Sequence, residues 1–262
     1  MHNYIPKKYL ITAKTEVAPS TFLFRLKGKL DFQPGQFVEI SSDHFGEATF
    51  APCSSPSNEK YFEVCIRNCG STSHHLADLM PSDEMSVRGP YGNGWPTNKL
   101  KGKDIIMIAG GLGLVPLRPL ILSMLEKKNR NMTIVAGFRS SEHLLFEQDL
   151  KCWSKIFKVN AMAEVATTHF WGQKGMITDG IDKLKLNHKK TIVLICGPEM
   201  MVPFCIEELA KKGITDSQIY ISYERRMECG IGVCQHCSIG KYLVCADGPV
   251  FAYDKIKGEV GK

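Results

Sequence analysis

Asp104-Ile-Ile-Met-Ile-Ala-Gly-Gly-Leu-Gly-Leu-Val-Pro116 decides the fold. Its first half is a nearly continuous apolar run rather than an alternating one. Such a run marks a strand buried on both faces, as in a parallel sheet covered by helices. Gly110, Gly111 and Gly113 then make a tight turn, and Pro116 fits the first turn of a helix expected to run through Glu126. Similar apolar runs recur at Met132-Thr-Ile-Val-Ala-Gly137, Thr191-Ile-Val-Leu-Ile-Cys196 and Gln218-Ile-Tyr-Ile-Ser222, and a helical stretch at 199–212 follows the third. Strands alternating with helices over residues 101–222 predict an α/β domain. The glycines would admit phosphates to the backbone at a helix N-terminus. A tight connection without a ligand reads the same way. A second turn, Cys196-Gly197-Pro198-Glu-Met200-Met201, also ends a strand, where open α/β sheets bind ligands. The Met200-Met201 pair by itself reads as packing.

Upstream, residues 1–100 read as β. Tyr61-Phe-Glu-Val-Cys-Ile-Arg-Asn68 alternates through Phe62, Val64 and Ile66, and Thr21–Leu26, Gly35–Ile40 and Met85–Arg88 are weaker strand segments. A turn-rich Gly89-Pro-Tyr-Gly-Asn-Gly-Trp-Pro96 follows. Short strands between turn residues predict an antiparallel β-barrel. One helix is expected at 72–79, capped by Ser71 or Thr72, with His74 and His75 on its surface. Two small-residue loops end strands, at 51–56 and 67–73. The second leads into the helix, where Arg67 would pair with a pyrophosphate. Ordinary turns are the alternative.

Downstream the cysteines crowd. The chain carries 10, and Cys229-x4-Cys234-x2-Cys237-x7-Cys245 holds four of them. Four thiolates at this spacing suit a plant-type [2Fe–2S] cluster. Gly230 and Gly232 permit a tight loop, and Arg225, Arg226 and Lys241 are nearby cations that would offset cluster charge. A structural zinc site is the rival, but such sites usually come from two close cysteine pairs, whereas Cys245 stands alone. Residues 223–262 are therefore expected to form a small cluster module.

Composition narrows the rest. At 262 residues the chain suits two domains with an appendage, since domains usually run about 100–150 residues. Lys and Arg exceed Asp and Glu by 33 to 27, a spread-out +6 without the basic stripe of nucleic-acid binding. No apolar stretch approaches the ~20 residues of a membrane span, and the opening residues hold no apolar signal region. These points favour a cytoplasmic protein with reduced thiols. Cys69, Cys152 and Cys205 read as packing. Arg139 and Ser140, after the second parallel strand, would meet a nucleotide 2′-phosphate or form a solvated loop.

This layout resembles ferredoxin-reductase-like electron-transfer subunits: β-barrel, Gly-Gly-x-Gly-x-x-Pro sheet domain, Cys-Gly-Pro turn, then the cysteine spacing. That family includes the dihydroorotate dehydrogenase electron-transfer subunit, the gamma subunit of sulfhydrogenases and the corresponding subunit of anaerobic sulfite reductase. The most specific stretches are Tyr223–Cys237 and Tyr242–Phe251. The resemblance implies FAD in the barrel, NAD(P)H in the sheet domain, and a partner catalytic redox subunit. Ala51, Pro52, Cys53 and Ser54 match the flavin motif, without its usual Arg and aromatic. Cys65, Ile66 and Arg67 match the second flavin strand, and Gly70, Thr72 and Ser73 the pyrophosphate turn. Gly110, Gly111, Gly113, Pro116, Cys196, Gly197, Pro198 and Met200 match the nicotinamide-nucleotide site. The short gap before Cys245 looks like the sulfite reductase and hydrogenase branch. No catalytic acid–base pair is demanded.

Overall fold

The computed structural model describes residues 4–42 and 45–260. The outermost residues of the expected end domains, 1–3 and 261–262, lie outside this range. Strands β1 (Lys7–Ala18), β2 (Thr21–Lys27), β3 (Phe37–Ser41), β4 (Glu47–Phe50), β5 (Tyr61–Arg67) and β6 (Glu84–Tyr91) form an antiparallel sheet ordered β4-β3-β6-β1-β2-β5. Among the described residues the expected barrel is not closed by a ladder. Its edges meet through one isolated bridge, Pro52 with Val64, beside which the Cys53 N–H donates to the Glu63 carbonyl at 2.7 Å. The pairing stops there because its next groups are taken: the Glu63 N–H donates to Ser54 Oγ at 3.1 Å, and the Cys53 carbonyl accepts from Arg118 at 2.7 Å. β6 runs on through the cis Gly89–Pro90 bond to Tyr91, where the sequence reads as a turn. β1 gives no clear pattern in the sequence, since most of its residues are exposed or half-buried.

Alternation along β5 divides its side chains between two cores. Phe62, Val64 and Ile66 join Phe24, Leu26, Val38 and Ile40 inside the sheet. Cys65 and Cys53 face outward into the core of the next domain.

That domain comprises β7 (Asp104–Gly110), β8 (Met132–Ser140), β9 (Lys158–Val165), β10 (Gln173–Lys174), β11 (Thr191–Cys196) and β12 (Ile219–Ser222), which are mutually parallel. After the first sheet's helix, α1 (Ser71–Asp78), come α2 (Leu114–Glu126), α3 (Glu147–Trp153), α4 (Ile177–Asp182) and α5 (Val202–Lys211). Ile105, Met107 and Ala109 pack with Leu117, Leu120 and Ile121 of α2. Ile106 and Ile108 pack with Ile181, Cys205 and Leu209 of α4 and α5. Both faces of β7 are thus covered, as its unbroken apolar run requires. β9 escaped the sequence reading because it mixes polar and small residues. Its buried Asn160 donates to the Gly180 carbonyl at 3.0 Å.

The two domains are joined by a buried ion network. Arg118 of α2 donates to Asp149 (2.7 Å), Glu63 (3.0 Å) and the Cys53 carbonyl (2.7 Å), and Arg25 also reaches Glu63. The C-terminal stretch is not a free appendage. A hairpin of β13 (Ser238–Ile239) and β14 (Tyr242–Leu243) precedes β15 (Val250–Ala252), which pairs antiparallel with β12 and completes the sheet order β10-β9-β8-β7-β11-β12-β15. Val250 and Phe251 are buried there, which ties the last segment to the sheet. Among the described residues no helix is long and apolar enough to cross a membrane.

Candidate functional site

A cavity of about 540 Å³ lies where the three parts of the chain meet. The first sheet supplies Phe37, Thr49, Phe50, Cys65 and Arg67, and the start of α1 supplies Gly70–Ser73. Leu112, Val115 and Pro116 come from the glycine turn, and Ser222–Arg225 from the end of β12. The α1 N-terminus is organised by Ser73, whose hydroxyl accepts from the Cys69 and Gly70 amides at 3.0 and 2.9 Å. The N-cap is therefore Gly70, in place of the expected Ser71 or Thr72. A helix start and Arg67 lining one cavity suit an anionic group such as a pyrophosphate.

Of the residues matched to flavin, Ala51, Cys65, Arg67, Gly70, Thr72 and Ser73 line this cavity. Pro52, Cys53, Ser54 and Ile66 do not: all four are buried, Cys53 and Ile66 at 0 % exposure. Burial pushes the Cys53 thiol well above its ordinary value. Sequence reasoning missed Phe50, an aromatic beside Ala51, and the run Tyr223–Arg225. The latter was legible as the segment leaving a parallel strand at its carboxyl end, where such sheets bind ligands. Cys69 also lines the cavity and is exposed, as is Cys152, so only Cys205 of the three is packing.

The two turns matched to a nucleotide pack on each other. A Cβ at Gly113 would overlap the Cys196 carbonyl, so only glycine lets the two turns approach this closely. Gly110 lies against Pro198 and Met201, and Gly197 against Gly110. Gly111, at φ 53°, faces open space. Cys196 is fully buried under the turn. The methionine pair divides: Met201 packs, while Met200 is 79 % exposed beside exposed Pro198. Glu199 accepts from Arg225 at 2.8 and 3.1 Å, which links this turn to the cavity wall.

The four cysteines form two pairs. Cys237 and Cys245 sulfurs are 3.3 Å apart. Cys229 sulfur accepts from the Ile231, Val233 and Cys234 amides at 3.3–3.4 Å, and Cys245 sulfur from the Gly232 amide at 3.0 Å. Backbone hydrogen bonds at His236 and Cys229 hold the Cys234 thiol below its ordinary value. Burial, then the Cys237 thiol, pushes Cys245 up to about 12. Two sulfurs this close ionise together only with a cation between them. Among the described residues no group of three or more His, Cys, Asp or Glu surrounds a single point as one metal ion requires. Two pairs with amides aimed at sulfur instead suit a two-iron cluster. The cations expected beside it are engaged elsewhere. Arg225 pairs with Glu199, Arg226 with Glu228, and Lys241 lies over the Tyr242 ring.

Comparison with known proteins gives this geometry its class. Residues 8–95 match the oxidoreductase FAD-binding domain and 107–207 the oxidoreductase NAD-binding domain. Residues 224–257 match the iron–sulfur cluster binding domain of dihydroorotate dehydrogenase B. The chain is 38 % identical over 256 residues to sulfhydrogenase 1 subunit gamma of Pyrococcus furiosus, covering 92 % of this chain and 87 % of that one. It is 33 % identical over 261 residues to a probable dihydroorotate dehydrogenase B electron transfer subunit of Pyrococcus abyssi, covering 98 % and 94 %. The solved NADH-dependent reduced ferredoxin–NADP oxidoreductase shares the fold, with a TM-score of 0.77 at 24 % identity over 96 % of this chain and 92 % of that one. Fold and site together define an oxidoreductase flavoprotein chain with FAD-, NAD- and iron–sulfur-binding domains. It belongs to the ferredoxin-reductase-like family of electron-transfer subunits that contains the sulfhydrogenase gamma and dihydroorotate dehydrogenase B electron transfer subunits.

Proposed function

We propose that this chain passes electrons from NAD(P)H through FAD and a [2Fe–2S] cluster to a cytoplasmic catalytic subunit of hydrogenase or anaerobic sulfite reductase type. One observation carries the reading. The cavity touches the nucleotide turn on one side, and the segment forming its wall, Ser222–Arg225, continues directly into the cluster loop. Bound FAD supplies the exchange between two-electron and one-electron chemistry, and the cluster supplies one-electron capacity.

The chain's own residues do the positioning. Arg67 and the Gly70–Ser73 turn would hold the flavin's pyrophosphate, and Phe50 and Tyr223 are the cavity aromatics that would stand in for the missing one. Gly111, Pro198 and Met200 receive the nicotinamide nucleotide. Cys229, Cys234, Cys237 and Cys245 hold the cluster. The likeness to the Pyrococcus abyssi protein over 98 % of the chain supports a second reading, an electron-transfer subunit for dihydroorotate oxidation.

Co-purification of the native complex tests the assignment. Recovery of a hydrogenase- or sulfite-reductase-type catalytic subunit supports the first reading, and a dihydroorotate dehydrogenase subunit the second. Anaerobic NADH or NADPH should bleach the visible flavin absorbance and raise a reduced-cluster EPR signal. A colourless chain with stoichiometric zinc would overturn both readings in favour of a binding module.

A further inference from the structure

A cation that serves the cluster loop comes from the first sheet. Arg88, on β6, is 8 % exposed. Its Nη1 donates to the Cys229 carbonyl at 2.6 Å, and its Nη2 donates to the Glu228 carbonyl at 2.9 Å. Its other edge forms a bidentate pair with Glu47, at 2.7 Å from Nε and 2.5 Å from Nη2. The Tyr91 hydroxyl lies 3.4 Å from Nη1, and Gly230 packs against both Arg88 and Tyr91. Arg88 also sits opposite Glu39 in the β3–β6 register, and Glu39 accepts from Thr49 of the cavity wall. A single guanidinium thus spans from the flavin sheet to the backbone of the first cluster ligand.

We propose that Arg88 is a positioning residue that holds the Cys229 backbone against the flavin sheet and, with Glu47 as its counter-charge, sets the reduction potential of the cluster. The inference rests on the [2Fe–2S] reading of the four cysteines. Reduction adds one negative charge to the cluster, so a nearby buried cation favours the reduced form and a nearby anion disfavours it. A strut of backbone hydrogen bonds alone would not distinguish the two members of the pair, whereas a charge effect gives them opposite signs. Arg88→Gln leaves Glu47 unbalanced and makes the cluster harder to reduce. Glu47→Gln leaves Arg88 unbalanced and makes it easier to reduce. Arg88→Lys keeps the charge and loses the fork, so its potential stays nearer the parent than that of Arg88→Gln.

The test is an EPR-monitored redox titration of the intact FAD- and iron-loaded chain, with iron and flavin contents measured for each variant. The expected shifts are opposed in sign. Each is on the order of tenfold in the reduction equilibrium constant, about 59 mV for a one-electron couple. Parent-like potentials in loaded Arg88→Gln or Glu47→Gln chains, or shifts of the same sign, would overturn the proposal. If Arg88→Gln fails to hold iron, the Glu47→Gln titration decides alone, because Glu47 bonds the side chain of Arg88 and not the cluster-loop carbonyls that Arg88 holds, and its upward shift is required. Iron absent from the parent chain would instead sink the cluster reading on which the proposal rests.

Discussion

The four cysteines proposed as cluster ligands lie in one stretch, Cys229–Cys245, whereas the cavity beside them is lined from both sheets, the start of α1 and the glycine turn. The loop's sulfurs accept hydrogen bonds from amides of the same loop. The cavity has no such local scaffold. It exists because β12 ends where the glycine turn begins α2, and because Arg118 and Glu63 clamp the first sheet against that helix. A site whose sulfurs all lie in one stretch fails first by loss of one of them, even though Arg88 braces that stretch from the first sheet. A site assembled from distant segments fails when the packing between them changes.

The largest expected effect isolates the local site. Cys237→Ser removes a buried cysteine, proposed as a cluster ligand, whose sulfur lies 3.3 Å from that of Cys245, and oxygen is a poor substitute for thiolate toward iron. The variant should lose the reduced-cluster EPR signal entirely while retaining FAD near stoichiometry, read from visible absorbance after desalting. Loss of both cofactors would break the comparison, since it would mean that the loop scaffolds the cavity.

A smaller effect isolates the assembled site. Gly113→Ala forces a methyl group into the Cys196 carbonyl and pushes the two nucleotide turns apart, at a cost of about 3 kcal/mol or more in stability. Gly111→Ala meets open space and bears only the left-handed backbone penalty, about 1 kcal/mol. Chemical denaturation of the two variants should separate them clearly. Nicotinamide-driven flavin reduction should slow at least tenfold in Gly113→Ala while dithionite reduction of its cluster stays intact. Equal destabilisation of the two variants would show that the turns are free to adjust to each other.

The same contrast explains what could be read from the sequence. The strand at 104–110, its glycine turn and the cysteine spacing are local patterns, and each announces its element without knowledge of the rest. The role of Arg88 has no local signature, because 141 positions separate it from the carbonyl it holds. Arg225 and Arg226 lie near the cluster in sequence, but their guanidinium groups pair with Glu199 and Glu228. The incomplete closure of the first sheet was hidden for a related reason: the seam depends on which residue of a distant strand Pro52 meets. Cys53 and Ser54 match a flavin motif in order, yet packing between the domains buries both, Cys53 in the second domain's core and Ser54 as acceptor of the Glu63 amide.

Glu39 lies between the two regions and gives the smallest test. Its carboxylate is 1 % exposed, accepts from Thr49 at 2.8 and 2.9 Å, and faces Arg88 across the β3–β6 pairing. Burial raises its pKa to about 7, although Thr49 and Arg88 pull it down. The ordinary value is 4.5. Between pH 4.5 and about 7 the folded chain therefore keeps a proton that the unfolded chain has released. Stability from this group is fully present below the lower value and is lost as pH rises through the upper one. Glu39→Gln keeps the shape and removes the titration. The difference in Tm between variant and parent should grow by a few degrees in the variant's favour from pH 5 to pH 8, while contributions from other groups cancel. A difference that stays flat across that range would mean that Arg88 already balances the carboxylate. In that case, the cation would serve the flavin sheet before it serves the cluster loop.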